Sequence, residues 1–232
     1  MIPKIVPKDE WIAARKQLLA KEKASTRLRD ELALERRELP WERVDKSYVF
    51  DTMFGPRTLA ELFDGRQQLV VYHFMFAPNW EAGCKSCSFW ADNFNGIVPH
   101  LKQRDVTLVA VSRAPLAILQ AFAQRLGWTF NWVSSGNNDF NYDYQVSFTE
   151  QAIQGEVAYN YDQRKFPATD APGVSVFLRD GEAVYHTYST FGRGLDMLNA
   201  AYHFLDLVPK GRDEGGLPST MAWVRLHDQY AN

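Results

Sequence analysis

The 232-residue sequence has few cysteines, no long apolar run and almost no net charge. With only two cysteines, disulfide bonds cannot staple a domain of this size. No run of 18 apolar residues is present, so no membrane-spanning helix is predicted. A net charge of −2 gives no general argument for binding nucleic acid or an anionic membrane. The amino-terminal residues lack the apolar core of a secretory signal, so we expect a cytoplasmic protein without nucleic-acid or membrane partners.

The composition is typical of a folded domain. The chain is 46% hydrophobic, 14% aromatic and 23% charged, which argues against disorder, collagen and coiled-coil rods. Its length fits one large domain, or one domain with an extension. We predict a helical extension over residues 1–44, an α/β domain over 45–207 and a tail over 208–232 that docks on the domain. Residues 134–171 are predicted to form an aromatic-rich insertion in that domain.

Alternating strand and helix patterns indicate an α/β fold. The apolar runs 68–76 and 106–112 predict strands buried on both faces, and alternating aromatics predict a third strand over 128–133. Helices are predicted between them, one from 84 to about 97 that Pro99 ends, and one over 115–126. This order of elements predicts three parallel strands.

The patterns on either side of this core predict helices and a hairpin. Apolar residues at helical spacing predict a long helix over 9–38, ended by Pro40. The runs 174–178 and 183–188 predict a β-hairpin with Gly181 in its turn. A final helix is predicted over 195–207.

The strongest chemical signal is the sequence Cys84-Lys-Ser-Cys87 between a predicted strand and a predicted helix. A thiolate is the attacking form of cysteine, and a helix amino terminus favours it. Cys84 is therefore the predicted nucleophile, and Cys87 would attack the resulting mixed disulfide and release the product. This predicts thiol–disulfide exchange on a protein or small disulfide. No cofactor is needed, and a cellular thiol reductant would supply electrons.

Three other interpretations of the cysteine pair and its surroundings remain open. A zinc site needs two further ligands, and the five histidines show no H-x₃₋₅-H spacing. Two unreactive core thiols are a second interpretation. In the third, the protein is a non-enzymatic binding or homodimerisation module whose partner surface is the aromatic segment 128–161. Those aromatics could equally form the core of the insertion.

Seven segments spread along the chain form a recognisable set. They are Trp11-Ile-Ala-Ala-Arg-Lys, Leu39-Pro-Trp41, Val71-Tyr-His-Phe-Met-Phe76, Gly83-Cys-Lys-Ser-Cys-Ser-Phe-Trp90, Gly173-Val-Ser-Val-Phe177, His186-Thr-Tyr-Ser-Thr190 and Arg193-Gly-Leu-Asp196. Through them, nearly the whole chain resembles a bacterial family of thioredoxin-like proteins designated only as a domain of unknown function. The resemblance implies a three-layer α/β/α fold with a mixed central sheet.

A thioredoxin-like fold implies roles for two further residues. Pro172, just before the hairpin, would be the cis-proline that faces the cysteine pair and shapes a substrate groove. His73, on the strand before the cysteine loop, would replace the buried carboxylate that assists proton transfer in thioredoxins, and would take a proton from Cys87. The alternative for His73 is a hydrogen-bonded core residue.

The core is also distantly similar to peroxiredoxins, through Val109-Ala-Val-Ser112 and the helix that ends at Gly127. Their catalytic motif is P-x-x-x-T/S-x-x-C. Counted from Pro78, it places Ala82 at the hydroxyl position and Lys85 at the cysteine position. An atypical peroxidase is therefore a further alternative.

Overall fold

The computed structural model describes residues 4–231, and its contacts divide the chain into two units at Pro40. The first unit contains α1, Lys8–Glu38, a helix of 31 residues. Pro7 immediately precedes this helix, and Leu39 and Pro40 follow it, in agreement with the predicted helix over 9–38. Every residue of α1 keeps some solvent exposure.

A mixed eight-stranded sheet forms the centre of the second unit. Its order is β1-β10-β9-β4-β5-β6-β2-β3, and β7 pairs with β8 separately. The strands are β1 Glu42–Arg43, β2 Val49–Thr52, β3 Gly55–Thr58, β4 Gln68–His73, β5 Val106–Ser112, β6 Asn131–Ser134, β7 Val157–Tyr159, β8 Asp162–Arg164, β9 Gly173–Asp180 and β10 Ala183–Phe191.

The strand pairing has thioredoxin-like topology. β4, β5 and β6 are parallel, as predicted. β9 lies antiparallel on the other side of β4, with His73 opposite Gly173, and continues into β10 through the predicted hairpin. The strand before the cysteine pair thus has a parallel neighbour on one side and the hairpin on the other. This confirms the predicted fold class.

Two of the predicted helices are interrupted. The helices are α2 Lys85–Ala91, α3 Phe94–Lys102, α4 Leu116–Arg125, α5 Phe140–Asp143 and α6 Ala200–Leu205, with 3-10 turns at Glu61–Phe63, Ala152–Gln154, Gly192–Leu198 and His227–Gln229. The single helix from 84 to 97 is wrong because the Asn93 amide donates to the carbonyls of Phe89 and Trp90 and ends α2. Pro99 lies inside α3 instead of ending a helix. The helix over 195–207 is also divided, since Asn199 caps α6 through the Tyr202 amide.

The two sheet faces carry separate cores. Helices α2, α3, α4 and α6 contribute to one face, and the turn at Glu61–Phe63 and α5 contribute to the other. Trp128, Phe130 and Trp132 are all buried in the first core, where Phe74 lies 4.6 Å from Trp132 between ring centroids. Most aromatics of segment 128–161 are likewise buried, which favours the core interpretation of that segment.

The insertion and the carboxyl-terminal segment both pack on the sheet domain. Residues Val146, Phe148 and Tyr159 of the insertion form a third small core with the entrance to β9. Further along the chain, Val224 and Leu226 are buried. Among residues 4–231, no helix is both long and apolar enough to cross a bilayer.

Candidate active site

A loop over residues 74–84 joins β4 to α2; Cys84 immediately precedes this helix and Cys87 lies in its first turn. The Cys84 amide donates to the Met75 carbonyl at 3.1 Å, which ties the loop back to the chain leaving β4. Gly83 is buried, and a Cβ added there would lie 2.8 Å from the Phe74 ring and 3.2 Å from Phe122. Any larger residue at position 83 would push the cysteine loop out of place.

The two thiols have opposite environments. Cys84 is half-buried, whereas Cys87 is only 2% exposed. A hydrogen bond from the Cys87 side chain, helped by the backbone of Cys87 and Ser86, outweighs burial and lowers the pKa of Cys84 from 9.0 to about 6. Burial and the neighbouring Cys84 sulfur raise the pKa of Cys87. Cys84 is therefore a thiolate at neutral pH, and Cys87 holds its proton.

Both cysteines open onto a cavity of about 510 Å³. Its apolar wall includes Met75, Trp90, Leu195 and Met221, and its rim carries charged side chains. Pro172 also lines this cavity, and so shares its lining with the cysteine pair.

The predicted cis geometry of Pro172 is wrong, because the Ala171–Pro172 bond is trans. Hydrogen bonds from the insertion fix the position of Ala171 and Pro172, the two residues before β9. The Ala171 amide donates to the Val146 carbonyl at 2.9 Å, and the Tyr159 hydroxyl donates to the Pro172 carbonyl at 2.7 Å. Pro172 is thus a wall residue of the cavity, and its carbonyl is already occupied by Tyr159.

His73 lies on the sheet face away from the cysteines. Its ring packs against Phe140 and Tyr144, and its Nε2 lies 2.8 Å from Ser175 Oγ. Burial, with a smaller effect of His186, lowers its pKa to about 3. The predicted proton transfer from Cys87 to His73 is therefore wrong, and the alternative of a hydrogen-bonded core histidine is correct.

Tyr72 is the β4 residue that faces the cysteine pair. Neighbouring residues of a strand point to opposite faces, so the Tyr72 side chain enters the core that contains Cys87. Its hydroxyl donates to the Cys87 carbonyl at 3.4 Å. Burial and both cysteines raise the pKa of Tyr72, which keeps the phenol protonated.

The carboxyl-terminal segment supplies a wall of the cavity that the sequence analysis missed. Glu214 Oε1 accepts hydrogen bonds from the Tyr202 hydroxyl at 2.6 Å, the Trp223 indole at 2.8 Å and the Met221 amide at 2.9 Å. On the cysteine helix, Lys85 Nζ donates to the Ala222 carbonyl at 3.3 Å. The signal available in the sequence was an acidic residue inside a glycine-rich stretch.

Arg212 completes this wall through paired charges. Its guanidinium carbon lies 3.8 Å from the centroid of the Tyr202 ring. Its nitrogens bond both carboxylate oxygens of Asp206 at 2.8 Å and reach Asp196 at 3.2 Å. The Arg212 charge is therefore neutralised by its neighbours. Residues 4–231 contain no group of three His, Cys, Asp or Glu side chains placed to hold a metal ion.

The fold and the site define a thioredoxin-like protein with a cysteine pair at the start of the helix after β4, the first of its three parallel strands. The chain belongs to DUF899, a family of bacterial proteins of unknown function, whose family model matches residues 1–230. This confirms the resemblance seen in the sequence. No curated protein is significantly similar to the chain.

Several solved structures share the fold distantly. A variant of peroxiredoxin Q from Xanthomonas campestris is 16% identical with a TM-score of 0.47, covering 72% of this chain and 98% of its own. The peroxidoxin BcpB of Mycobacterium tuberculosis is 14% identical with a TM-score of 0.46, covering 70% of this chain and 94% of its own. Similarity at this level carries no information about the reaction.

Proposed function

We propose that the protein is a thiol–disulfide oxidoreductase, with Cys84 as the nucleophile and Cys87 as the resolving thiol. The observation that carries this proposal is the contrast between the two thiols. Hydrogen bonds within the pair lower the Cys84 pKa to about 6, and burial raises the pKa of Cys87. An unreactive core pair would give neither thiol a lowered pKa.

The exchange proceeds in two steps and transfers two electrons. The Cys84 thiolate attacks one sulfur of a substrate disulfide, forming a mixed disulfide and releasing the other sulfur as a thiolate. Cys87 Sγ then attacks Cys84 Sγ, breaking the mixed disulfide, while its proton passes to the departing sulfur. The products are one substrate thiol, one substrate thiolate that solvent protonates, and a Cys84–Cys87 disulfide. A cellular thiol reductant returns the pair to its reduced form.

The cavity supports a small disulfide or an extended protein segment as substrate. Its volume of about 510 Å³ and its apolar wall favour compact, largely apolar groups beside the reacting sulfur. The carboxyl-terminal wall, held by Glu214, narrows the approach to Cys84. A bulky folded surface would reach the sulfur only if this wall moved.

Matched serine variants test the proposal with dithiobis(nitrobenzoate) as the small disulfide. Cys84→Ser should abolish reduction of the probe, whereas Cys87→Ser should accumulate a mixed disulfide on Cys84 that intact-mass spectrometry detects. Mild oxidation of the unmodified protein should remove two hydrogens from each chain. The reverse behaviour of the two variants would contradict the assigned roles. Thiols that stay unreactive towards both the probe and hydrogen peroxide would favour the binding-module alternative.

A further inference from the structure

A second chemically organised cluster lies on the other face of the sheet, in residues that the proposed exchange does not use. Ser189 and His186 both belong to β10 and face the core that contains His73. Residues three apart in a regular strand point to opposite faces. The register shift between His186 and Tyr188 inserts one extra residue, so that Ser189 and His186 share a face.

The contacts form a serine–histidine–carboxylate series. Ser189 Oγ lies 2.7 Å from His186 Nε2, and His186 Nδ1 lies 3.4 Å from Glu42 Oε2. Glu42 pairs with His186 across β1 and β10, so the sheet register holds the carboxylate beside the ring. Tyr144 and Phe177 contact the ring of His186 at 5.2 and 5.5 Å between centroids and limit its rotation.

The hydrogen bonds can run in only one direction when His186 is neutral. The Glu42 carboxylate accepts, so His186 must carry its proton on Nδ1 and leave Nε2 as an acceptor. Ser189 then donates to Nε2. Ser175 donates to Ser189 Oγ at 2.8 Å, and His73 Nε2 donates to Ser175 Oγ at 2.8 Å. Each donor from His73 through Ser175 to Ser189 points towards His186 Nε2, the arrangement that a general base beside a hydroxyl nucleophile requires.

This cluster borders a cavity of about 370 Å³ that is separate from the cysteine cavity. Ser189 and His186 both line it, and Ser189 retains 6% of its exposure. Gln145 supplies an amide to the same wall. Lys46 also lines the cavity, but its ammonium group is already paired with Asp143 at 2.6 Å and with Asp139 at 3.0 Å. A small acyl compound would therefore meet the hydroxyl, the base and an amide donor within one cavity.

We propose that Ser189, His186 and Glu42 form a second reactive site that transfers acyl groups from small esters to water. Ser189 Oγ attacks the ester carbonyl carbon while its proton moves to His186 Nε2. The bond to the alkoxy group breaks, and the departing alcohol takes that proton. His186 then takes a proton from a water molecule, whose oxygen attacks the acyl carbon. The bond between that carbon and Ser189 Oγ breaks, the carboxylic acid leaves, and His186 returns the proton to Ser189 Oγ. Glu42 holds the ring in the required tautomer and is a positioning residue.

A fluorophosphonate probe tests this site in a Cys84→Ala/Cys87→Ala background, where no thiol can react. Ser189 Oγ should form a bond to phosphorus with release of hydrogen fluoride, and peptide mapping should locate the adduct on Ser189. The same background should hydrolyse p-nitrophenyl acetate about 10²–10⁴-fold faster than buffer, the usual contribution of a positioned general base. Ser189→Ala should lose both activities, and Thr190→Ala on the same strand should retain them.

Two further variants separate chemistry from a folding defect. Glu42 is 80% exposed at its side chain, so Glu42→Gln should leave the fold intact while slowing labelling roughly tenfold, the value of one charge-assisted hydrogen bond. His186→Gln keeps a hydrogen-bonding group beside Ser189 but removes the base, and should abolish labelling. Absence of an adduct in the cysteine-free background, or an adduct on another residue, would overturn the proposal. In the cysteine-containing protein, Ser189→Ala should still reduce the disulfide probe, so a failure of the ester hydrolysis and a failure of the disulfide exchange can be told apart.

Discussion

Removing the Cys87 thiol should raise the pKa of Cys84. The Cys87 side chain makes the largest contribution to the low Cys84 pKa of about 6. A hydrogen bond to a charged group is worth about 1.5–3 kcal/mol, and one pKa unit corresponds to about 1.4 kcal/mol. In Cys87→Ala the pKa of Cys84 should therefore lie at roughly 7–8. Cys87→Ser keeps a hydroxyl donor at the same place and should show a smaller rise.

The thiolate population of Cys84 changes accordingly. With a pKa of about 6, about 90% of Cys84 is thiolate at pH 7, against about 1% for an ordinary thiol. A less basic thiolate is also a weaker nucleophile, and lowering the pKa from 9.0 to about 6 reduces its intrinsic reactivity roughly 16- to 32-fold. The net gain in reactivity at pH 7 is then only about 3- to 6-fold. At pH 6 the thiolate should fall from about 50% in the unmodified protein to about 1–9% in Cys87→Ala.

The rate of iodoacetamide alkylation at Cys84, followed by peptide mass spectrometry from pH 4.5 to 9.5, measures these populations. The midpoint should lie near pH 6 for the unmodified reduced protein, higher for Cys87→Ser and highest for Cys87→Ala. Absorbance of the thiolate at 240 nm gives an independent titration. A midpoint above pH 8 in the unmodified protein, or the same midpoint in all three proteins, would refute the assigned hydrogen bond.

Three further predictions concern parts of the structure around the site. His73 has a pKa of about 3 in the folded protein, so only the unfolded state binds a proton at this residue between pH 7.5 and 5. The free energy of unfolding, measured with urea at both pH values, should therefore fall by about 2 kcal/mol less in His73→Gln than in the unmodified protein. An equal fall in the two proteins would contradict a buried neutral ring. Arg113→Ala leaves the Asp170 carboxylate, which is 3% exposed, without its cation. The free energy of unfolding, measured by chemical denaturation, should therefore fall by about 3–5 kcal/mol. A fall of less than about 1 kcal/mol would contradict an ion pair that stabilises the fold. Glu214→Gln should speed hydrogen exchange at the Trp223 indole N–H, because a neutral amide replaces a charged acceptor of three hydrogen bonds. An unchanged exchange rate would show that the carboxyl-terminal wall does not depend on the Glu214 charge.

The parallel core could be predicted because both faces of its strands are buried. β4 and β5 form near-continuous apolar runs, and the cysteine pair follows the first of them. The same continuity concealed which side chains meet the cysteines. A run that is apolar on both faces carries no alternation, so Tyr72 and His73 were equally plausible partners of Cys87.

The other errors came from contacts between distant parts of the chain or from single side chains. The backbone at Ala171 and Pro172 is held by hydrogen bonds to Val146 and Tyr159, which belong to the insertion. The break after α2 depends on the Asn93 amide alone. The order of the glycine-rich stretch around Glu214 depends on three hydrogen bonds that its carboxylate accepts. No local pattern encodes such pairings.

The carboxyl-terminal wall of the cysteine cavity has a consequence for protein synthesis. Tyr202, Arg212 and Met221 follow Cys87 by at least 115 residues, counted from 87 to 202. A ribosome adding about 5–20 residues per second needs roughly 6–23 seconds to make that stretch. During this interval the nascent chain presents Cys84 without its wall. Any exclusion of bulky disulfides from Cys84 by this wall can therefore begin only after Met221 has been made.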